Sequence, residues 1–325
     1  MTIPGTVFRV HSGNYHVATA EMGTVVCKLR GNLKKEFVYR TSGSLPRKVE
    51  SAKKMRRTDP ISVGDRVMVD TDLQMIEEVT PRTSELSRTS PSRKGQHTLV
   101  ANLDQTLLVC AAAEPAPDVW LLDRFIVMVE EADIDVVLVV NKMDQVNFDQ
   151  SALEDIFGVY RRIGYPVLYV SARQKVGLEA VKEVLVGKVS AVAGPSGVGK
   201  SRLLNALCPD ANQKVGDISM LTQRGKHTTT SAELIPLDAT AQSWIADTPG
   251  LQQLEFWDVD KEDIPYCFRE FKPYFGTCRY ADCIHFDEPG CGIRAAMEAG
   301  EIDARRYSSY KQIMTGDNPY SKAVS

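Results

Sequence analysis

Residues 194–201 read Gly-Pro-Ser-Gly-Val-Gly-Lys-Ser and fit the pattern G-x-x-x-x-G-K-[ST]. The apolar run at residues 188–193 predicts a buried strand before this segment, and residues 202–207 predict a helix after it. A strand, a glycine-rich loop and a helix in this order are the context that a phosphate-binding loop requires. A chance glycine-rich turn is the alternative, and both flanking elements argue against it.

Each part of this loop has a role in phosphate binding. Backbone N–H groups of the turn and of the helix N-terminus would cradle the phosphates, Lys200 would reach the β- and γ-phosphate oxygens, and the Ser201 hydroxyl would bind Mg²⁺. The predicted nucleotide-binding residues of this segment are Gly194, Pro195, Ser196, Gly197, Val198, Gly199, Lys200, Ser201 and Arg202.

Two further motifs predict guanine as the base. Residues 141–144 read Asn-Lys-Met-Asp after the apolar run 135–140, and the Asp144 carboxylate can accept from N1–H and the 2-amino group of guanine, a pair that adenine lacks. Ser171 and Ala172 would offer a backbone N–H to the base oxygen, although such a dipeptide alone mostly marks a strand end. The predicted base-binding residues are Asn141, Lys142, Met143, Asp144, Ser171 and Ala172.

Residues 247–250 read Asp-Thr-Pro-Gly and follow a strand-like run. Asp247 is predicted to hold Mg²⁺ through water, and the Gly250 amide is predicted to sense the γ-phosphate. The polar segment 215–230 predicts a mobile switch loop in which Thr229, or Thr228 beside it, completes the Mg²⁺ shell. A simple threonine-rich surface loop would have the same sequence character.

Leu251 stands where many switch GTPases place the glutamine that orients the attacking water. An aliphatic side chain cannot hold that water, so we expect slow basal turnover and activation by a partner. His227 is the candidate for the water-positioning group, and a solvent-facing loop histidine is the equal alternative. The predicted catalytic residues are Lys200, His227, Thr229 and Asp247.

The order of the motifs is permuted, because the guanine-specifying motif precedes the phosphate loop. Apolar runs alternate with amphipathic segments such as 119–129, which predicts a parallel sheet covered on both faces. All five motifs fall at the carboxyl ends of predicted strands, where such sheets bind ligands. The sequence thus predicts a multidomain protein whose central domain, residues 98–258, is an α/β P-loop GTPase with circularly permuted motifs.

The N-terminal region differs from the rest in charge. Residues 1–97 contain 17 Lys and Arg against 10 Asp and Glu, a net charge of +7, which leaves −10 for the remaining 228 residues. Five short alternating runs predict a small β-barrel at residues 1–80, with an OB-fold as the expected form. A linker rich in Ser, Thr, Arg and Pro is predicted at residues 81–97. The five runs are residues 6–10, 15–19, 24–28, 63–69 and 74–79.

A basic loop joins the third and fourth predicted strands. Its charge density suits an RNA phosphate backbone, and a solvated loop without a partner is the alternative. The basic residues are Lys34, Lys35, Arg40, Arg47, Lys48, Lys53, Lys54, Arg56 and Arg57.

Four potential metal ligands lie within fourteen residues near the C-terminus: Cys278, Cys283, His285 and Cys291. Three thiolates and one imidazole satisfy tetrahedral Zn²⁺ without a position for water, which predicts a structural rather than a catalytic site. Predicted helices at 262–271, 293–299 and 302–313 surround them, so residues 259–325 form an α-rich zinc-binding module whose folding energy includes metal binding. The alternative is accidental clustering.

The remaining cysteines are expected to be ordinary buried residues, and an odd total of seven does not suggest a disulfide framework. No apolar run approaches a membrane span, and the N-terminus lacks a signal pattern. We therefore expect a reducing cytoplasm as the location. These cysteines are Cys27, Cys110, Cys208 and Cys267.

Together these features resemble the circularly permuted, ribosome small-subunit-dependent GTPase A family of bacteria. The resemblance rests on the motif order, on Lys-His-Thr-Thr-Thr at residues 226–230, on Leu251, on the barrel and on the cysteine and histidine cluster. It implies a late assembly factor that binds the small subunit, hydrolyses GTP there and leaves, with the barrel and zinc module gripping ribosomal RNA. The acidic, Trp-containing stretch 254–260 and the loop 34–57 depart from the family pattern.

The resemblance further implies GTP or GDP, Mg²⁺ and one structural Zn²⁺ as cofactors, and a monomer without a DNA or membrane partner. Two alternatives remain open from the residues: a GTP-dependent RNA chaperone or modification partner unrelated to the ribosome, and an RNA-binding scaffold with a vestigial nucleotide site. Intact Lys200, Ser201, Asp247 and Asp144 argue against the scaffold. The predicted second switch, from residue 247 onward, leads directly along the chain into the zinc module. A change in this switch between the GTP and GDP states could therefore reach the zinc module through the backbone.

Overall fold

The structure is a computed structural model that describes residues 1–30, 35–39, 49–54, 61–89, 96–208, 232–237, 243–247 and 259–316. The chain divides into two compact units. The first comprises residues 1–104, 185–191 and 208–253, and the second comprises residues 105–184, 192–207 and 254–325.

Strands dominate the described part of the first unit, and the described α-helices lie in the second unit except for Leu185, the last residue of one helix. The strands are β1 (Thr2–His11), β2 (Asn14–Thr19), β3 (Gly23–Leu29), β4 (Lys35–Tyr39), β5 (Val49–Lys54), β6 (Arg66–Asp70), β7 (Met75–Val79), β8 (Glu85–Thr89), β9 (Gln96–Ala101), β10 (Gln105–Ala111), β11 (Asp135–Asn141), β12 (Val167–Tyr169), β13 (Val189–Ala193), β14 (Glu233–Pro236) and β15 (Trp244–Asp247). The described α-helices are α1 (Val119–Glu131), α2 (Glu154–Ile163), α3 (Leu178–Leu185), α4 (Lys200–Leu207), α5 (Gly292–Glu298) and α6 (Ala304–Thr315).

The five predicted N-terminal strands form a barrel, as expected from their alternation. β1 pairs with β2 and β6, β3 pairs with β2 and β7, and β6 pairs with β7, which closes the set. Its interior consists of apolar residues that alternate with outward-facing ones, and Val7, Val17 and Cys27 are fully buried there. The barrel of the predicted fold class is therefore confirmed.

Two further hairpins lie outside the five barrel strands. One lies in the predicted basic loop, and the other lies largely in the predicted linker. β4 pairs with β5 inside the basic loop, and β8 pairs with β9 across the segment 81–96. Arg82 fastens the second hairpin, because its Nε and Nη2 donate to the two carboxylate oxygens of the fully buried Asp65 at 2.7 and 2.8 Å. Gly64 also passes so close to the Ala101 carbonyl that a Cβ at Gly64 would lie 1.9 Å from its oxygen.

Three more strands complete the first unit. β14, which the sequence patterns do not predict, pairs antiparallel with β1 on one side and with β15 on the other. β15 in turn runs parallel to β13. The first strand of the barrel is thus directly hydrogen-bonded to β14 within the same unit.

The second unit has the parallel α/β arrangement that the sequence predicts. β11 pairs in parallel with β10 and with β12. Side chains of β10 and β11 are almost completely buried, as in sheets covered on both faces. Asp118 caps α1 by accepting from the Leu121 amide, and Gly164 ends α2 in the left-handed conformation.

The C-terminal part of this unit differs from prediction at one helix. Instead of an α-helix at residues 262–271, the structure has two 3-10 helices, Ile264–Cys267 and Arg269–Tyr274. Phe268 between them is extended, with φ −97° and ψ 99°, and it is fully buried against Phe271 with 5.0 Å between ring centroids. Packing of these two rings therefore overrides the helical pattern. The predicted helices at 293–299 and 302–313 are present as α5 and α6.

A buried ion pair joins α6 to α1. Arg306 is 1% exposed, and it donates to Asp123 at 2.6 Å and to Glu270 at 2.6 Å. Tyr160 of α2 also donates to Asp123, so three elements meet at this carboxylate. Among the described helices, none combines the length and the apolar character needed to span a membrane.

Candidate active site and metal centre

The loop between β13 and α4 passes too close to its neighbours for any residue but glycine at two positions. Gly194 has φ 135°, and a Cβ there would lie 2.1 Å from the Val109 carbonyl oxygen. Gly199 has φ 95°, and a Cβ there would lie 2.6 Å from the Asn141 amide nitrogen. The positive φ and the close contacts therefore explain why both positions of the motif require glycine.

Lys200 points back across this loop. Its ammonium donates to the carbonyl oxygens of Gly194 and Pro195, each at 2.7 Å. Burial lowers the pKa of Lys200 to about 8, because the charged form has lost part of its water. A phosphate beside this nitrogen would stabilise the charge that burial disfavours.

Asn141 holds three motif segments together. Its Nδ2 donates to the Val198 carbonyl of the phosphate loop at 3.0 Å, and its Oδ1 accepts from the Ala172 amide at 3.0 Å. The side chain is 2% exposed, so both bonds are shielded from water. One buried amide therefore fixes the spacing between the base-binding and phosphate-binding segments.

Asp144 is held by its neighbours with one oxygen engaged. Ser171 Oγ donates to Asp144 Oδ1 at 2.6 Å, and an Arg173 nitrogen lies 4.0 Å from Oδ2. Met143 is fully buried beneath this turn, and Lys142 adopts the left-handed conformation with φ 63°. The structure thus brings together residues 141–144, 171–172 and 194–201, as the motifs predict.

Sequence reasoning missed a loop that borders these segments. The Lys142 ammonium donates to the Glu114 carbonyl, and the Glu114 amide donates to the Gln145 side chain at 3.2 Å. The ring of Pro115 lies within 3.8 Å of where a Cβ of Gly197 would stand. The loop's position after the carboxyl end of β10 was the available signal, since ligands of parallel sheets bind at that edge.

An apolar cavity of about 420 Å³ adjoins the same loop. It is lined by residues of β10, the segment 115–118, α1 and the phosphate loop, including Cys110, Leu121, Phe125 and Pro195. Burial raises the pKa of the Cys110 thiol to about 12, so this thiol is neutral at physiological pH.

The other predicted residues are distributed as follows. Ser201 and Arg202 lie in the first turn of α4. Asp247 is the last residue of β15 in the first unit. His227, Thr229 and Gly250 lie outside the described residues, as do Thr228 and Leu251.

The four predicted zinc ligands meet in space. The ligand atoms of Cys278, Cys283, His285 and Cys291 all lie within 4.8 Å of one another. His285 Nδ1 is 3.5 Å from Cys278 Sγ and 3.6 Å from Cys291 Sγ. Three sulfurs and one nitrogen at these separations fit a tetrahedral Zn²⁺.

Surrounding groups prepare these ligands for a cation. Backbone amides of Gly292 and Arg294 donate to Cys278 Sγ and Cys291 Sγ at 3.3 and 3.4 Å, and such second-shell donors orient sulfur ligands. Burial lowers the pKa of His285, which favours the neutral imidazole that binds metals. Tyr307 fixes the His285 backbone by donating to its carbonyl at 2.8 Å.

Comparisons with known proteins agree with this geometry. The model of the RsgA GTPase family matches residues 79–257. The small ribosomal subunit biogenesis GTPase RsgA of Gemmatimonas aurantiaca is 39% identical over 315 residues, which cover 95% of each chain. The protein of the same name from Phocaeicola vulgatus is 35% identical over 315 residues, which cover 95% of this chain and 96% of the relative.

Two solved structures have the same fold. The crystal structure of YjeQ from Thermotoga maritima superposes with a TM-score of 0.74 at 32% identity, covering 97% of this chain and 98% of that one. The structure of YloQ, a circularly permuted GTPase, superposes with a TM-score of 0.70 at 29% identity, covering 97% and 95%. The expected permutation is thereby confirmed, and this chain belongs to the RsgA GTPase family of GTP-hydrolysing enzymes.

Proposed function

We propose that this protein binds the small ribosomal subunit and its RNA during late assembly, hydrolyses GTP to GDP and phosphate when the subunit stimulates it, and then dissociates. The names of its relatives support the partner. The observation that carries nucleotide binding is the buried Asn141 amide, which joins the phosphate loop to the Ser171-Ala172 segment, and hydrolysis is supported by the family. A vestigial site would not need that spacing.

We assign the roles of the nucleotide site residue by residue. Asp144 selects guanine, and the Ser171-Ala172 segment borders the base. The Ala172 amide donates to Asn141 Oδ1 in the nucleotide-free structure, so it would have to leave or share that bond to reach the base oxygen. The amides of the phosphate loop and Lys200 bind the phosphates, and the Gly250 amide senses the γ-phosphate. The ammonium of Lys200 exchanges the two loop carbonyls for phosphate oxygens when nucleotide binds.

The oxygen donors near the phosphates suit Mg²⁺, which prefers hard ligands. Ser201 and Thr229 would hold this ion directly and Asp247 would hold it through water. Bound there, Mg²⁺ would neutralise charge on the phosphates. His227 positions the attacking water, because Leu251 cannot do so. A protein built this way turns over slowly until a partner completes the site.

The flanking modules supply the contacts with RNA. We place the barrel at residues 1–80, the linker at 81–97, the GTPase domain at 98–258 and the zinc module at 259–325. The basic residues of the barrel loop would contact phosphates, and one structural Zn²⁺ would hold the zinc module in shape. The protein would act as a monomer in the cytoplasm, where the small subunits are.

The binding cycle can be tested by sedimentation with purified small subunits. We expect the protein to pellet with them when a non-hydrolysable GTP analogue is present and to stay in the supernatant with GDP. Large subunits serve as the control. Equal binding to both subunits, or binding that ignores the nucleotide, would contradict the proposal, and crosslinking that recovered mainly other RNAs would favour an RNA chaperone.

A further inference from the structure

The turn that follows β11 has an unusual backbone. Lys142, Asn147 and Phe148 all lie in the left-handed region, with φ of 63°, 49° and 59°. This conformation is uncommon for residues other than glycine, and each instance raises the energy of the folded backbone. Such a turn keeps its shape only where surrounding contacts hold it. The same turn carries Asp144, which we assign to the guanine base.

The backbone of Glu114 holds this turn on both sides of Asp144. Its carbonyl oxygen accepts from the Lys142 ammonium, and its amide donates to Gln145 Oε1 at 3.2 Å. Within the turn, the Gln145 amide donates to the Lys142 carbonyl at 2.9 Å. One residue of the loop after β10 therefore contacts the two residues that flank Met143 and Asp144.

The loop after β10 is itself attached to the motif segments. The amide of Ala112 donates to the Asn141 carbonyl at 2.8 Å. Further along the loop, a ring carbon of Pro115 lies 3.8 Å from where a Cβ of Gly197 would stand. All of these residues belong to the second unit. The loop can therefore serve as a fixed support for the turn.

Asp144 needs such a support because base recognition depends on its orientation. Two bonds, from N1–H and from the 2-amino group, form only when both carboxylate oxygens face the base. Ser171 Oγ donates to one of these oxygens at 2.6 Å. That bond holds the carboxylate but does not hold the backbone that carries it. The exposed Gln145 side chain supplies a hydrogen bond to a neighbouring loop that does.

We propose that Gln145 is a positioning residue of the nucleotide site, which orients Asp144 toward the guanine base by holding the turn 142–148 against the backbone of Glu114. The inference rests on the role proposed above for Asp144. It extends the base-binding site to a residue beyond the Asn-Lys-Met-Asp motif and to the loop after β10.

The test compares the affinities of GDP and inosine diphosphate, measured by isothermal titration calorimetry in the presence of Mg²⁺. Gln145→Met removes the acceptor and keeps the length of the side chain. Loss of one neutral hydrogen bond should raise the dissociation constant of GDP by about fivefold. The constant of inosine diphosphate should rise by about twofold, because its base lacks the 2-amino group and makes one of the two bonds with Asp144.

Two further variants separate positioning from a general effect on folding. Gln145→Glu keeps an acceptor oxygen for the Glu114 amide, so it should restore the wild-type ratio of the two dissociation constants. Gln150→Met makes the matched exchange at an exposed position outside the turn and should change neither constant. Melting temperatures measured beside each titration show whether a variant is folded.

The outcomes distinguish this inference from the proposed function. If wild-type protein prefers GDP while Gln145→Met weakens both diphosphates equally, or weakens neither, the proposed function stands and the positioning role fails. A ratio in Gln145→Glu that matches Gln145→Met would also overturn the role, since the acceptor would then not matter. Wild-type protein that binds both diphosphates equally would instead remove the role of Asp144 and the inference with it.

Discussion

At the scale of single residues, we expect Asp144 to decide which base the protein accepts. Its Oδ1 already accepts from Ser171, which orients the carboxylate. Asp144→Asn should weaken GDP binding and favour xanthosine diphosphate, because an amide can donate to the 2-oxo group of xanthine where a carboxylate accepts from the 2-amino group of guanine. Competition between the two diphosphates measures the preference, and an unchanged preference for GDP would contradict the role.

We expect the buried ammonium of Lys200 to lower the stability of the nucleotide-free protein and to be required for nucleotide binding. Its pKa in the nucleotide-free protein is about 8, below the ordinary value of 10.5, so the folded state binds this proton less tightly than the unfolded state. The stability of the free protein should therefore rise as pH increases from about 8 to 10.5. Lys200→Met should lose nucleotide binding, raise the melting temperature at pH 7 and reduce this rise.

Thermal unfolding of the free protein and of Lys200→Met across pH 7 to 10.5 checks the prediction. Lys188→Met, a substitution outside the loop, serves as the control for losing one lysine. A melting temperature that falls at pH 7 in Lys200→Met would show that the ammonium stabilises the free loop.

Sequence predicted the phosphate loop and the base-binding residues because each motif is short and local. It could not predict the Gln145 contact with Glu114 or the ion pair between Arg9 and Glu233, since these join residues 31 and 224 positions apart. No pattern within one segment records such a pairing.

At the scale of elements, α6 is tied to α1 by the charge of Arg306. Arg306→Met would leave Asp123 and Glu270 buried without a cation, and breaking a buried pair in this way costs about 3–5 kcal/mol of unfolding free energy. Denaturant unfolding measures this loss. Arg305→Met is a matched control, because Arg305 is 49% exposed and pairs only locally with Asp303, so it should lose less than about 1 kcal/mol. Equal losses would contradict the structural role of the buried pair.

The zinc module should depend on its metal only in part. Chelation should increase hydrogen exchange in residues 277–292, because their geometry follows from the four ligands. The aromatic cluster of Phe268, Phe271 and Tyr310 should keep more protection, since these rings pack directly on one another, although Cys291 belongs to the same core. Zn²⁺ should restore protection and Mg²⁺ should not. Unchanged exchange after verified zinc removal would show that the segment folds without metal.

Element prediction succeeded where one pattern dominated and failed where packing competed with it. The barrel strands alternate clearly, and β10, β11 and α1 have strong apolar patterns. β14 has four residues and ends in Pro236, which leaves too little pattern to recognise. In β8 the buried Leu86, which is 1% exposed, gives too little pattern to mark a strand. The interaction of Arg82 with Asp65 that holds its hairpin joins residues 17 positions apart, so composition does not show it.

At the scale of the whole molecule, the permuted motif order determines which domains follow the two predicted switch segments, 215–230 and 247–250, along the chain. Residues 247 onward lead into the zinc module, and β14 pairs with the first strand of the barrel. Each proposed RNA-binding module therefore has a covalent or hydrogen-bonded connection to a strand beside a switch. We expect nucleotide exchange from GDP to a non-hydrolysable GTP analogue on the subunit to change hydrogen exchange in residues 261–325. Identical exchange in the two nucleotide states would contradict this connection.

The most direct test of the proposed function is the rate of GTP hydrolysis by the zinc-loaded protein, alone and with isolated small subunits. We predict slow hydrolysis alone, strong stimulation by small subunits, no stimulation by large subunits and no hydrolysis of ATP. His227→Ala should then lose the stimulated rate while keeping GDP affinity. A slow rate that no ribosomal particle changes would contradict the account.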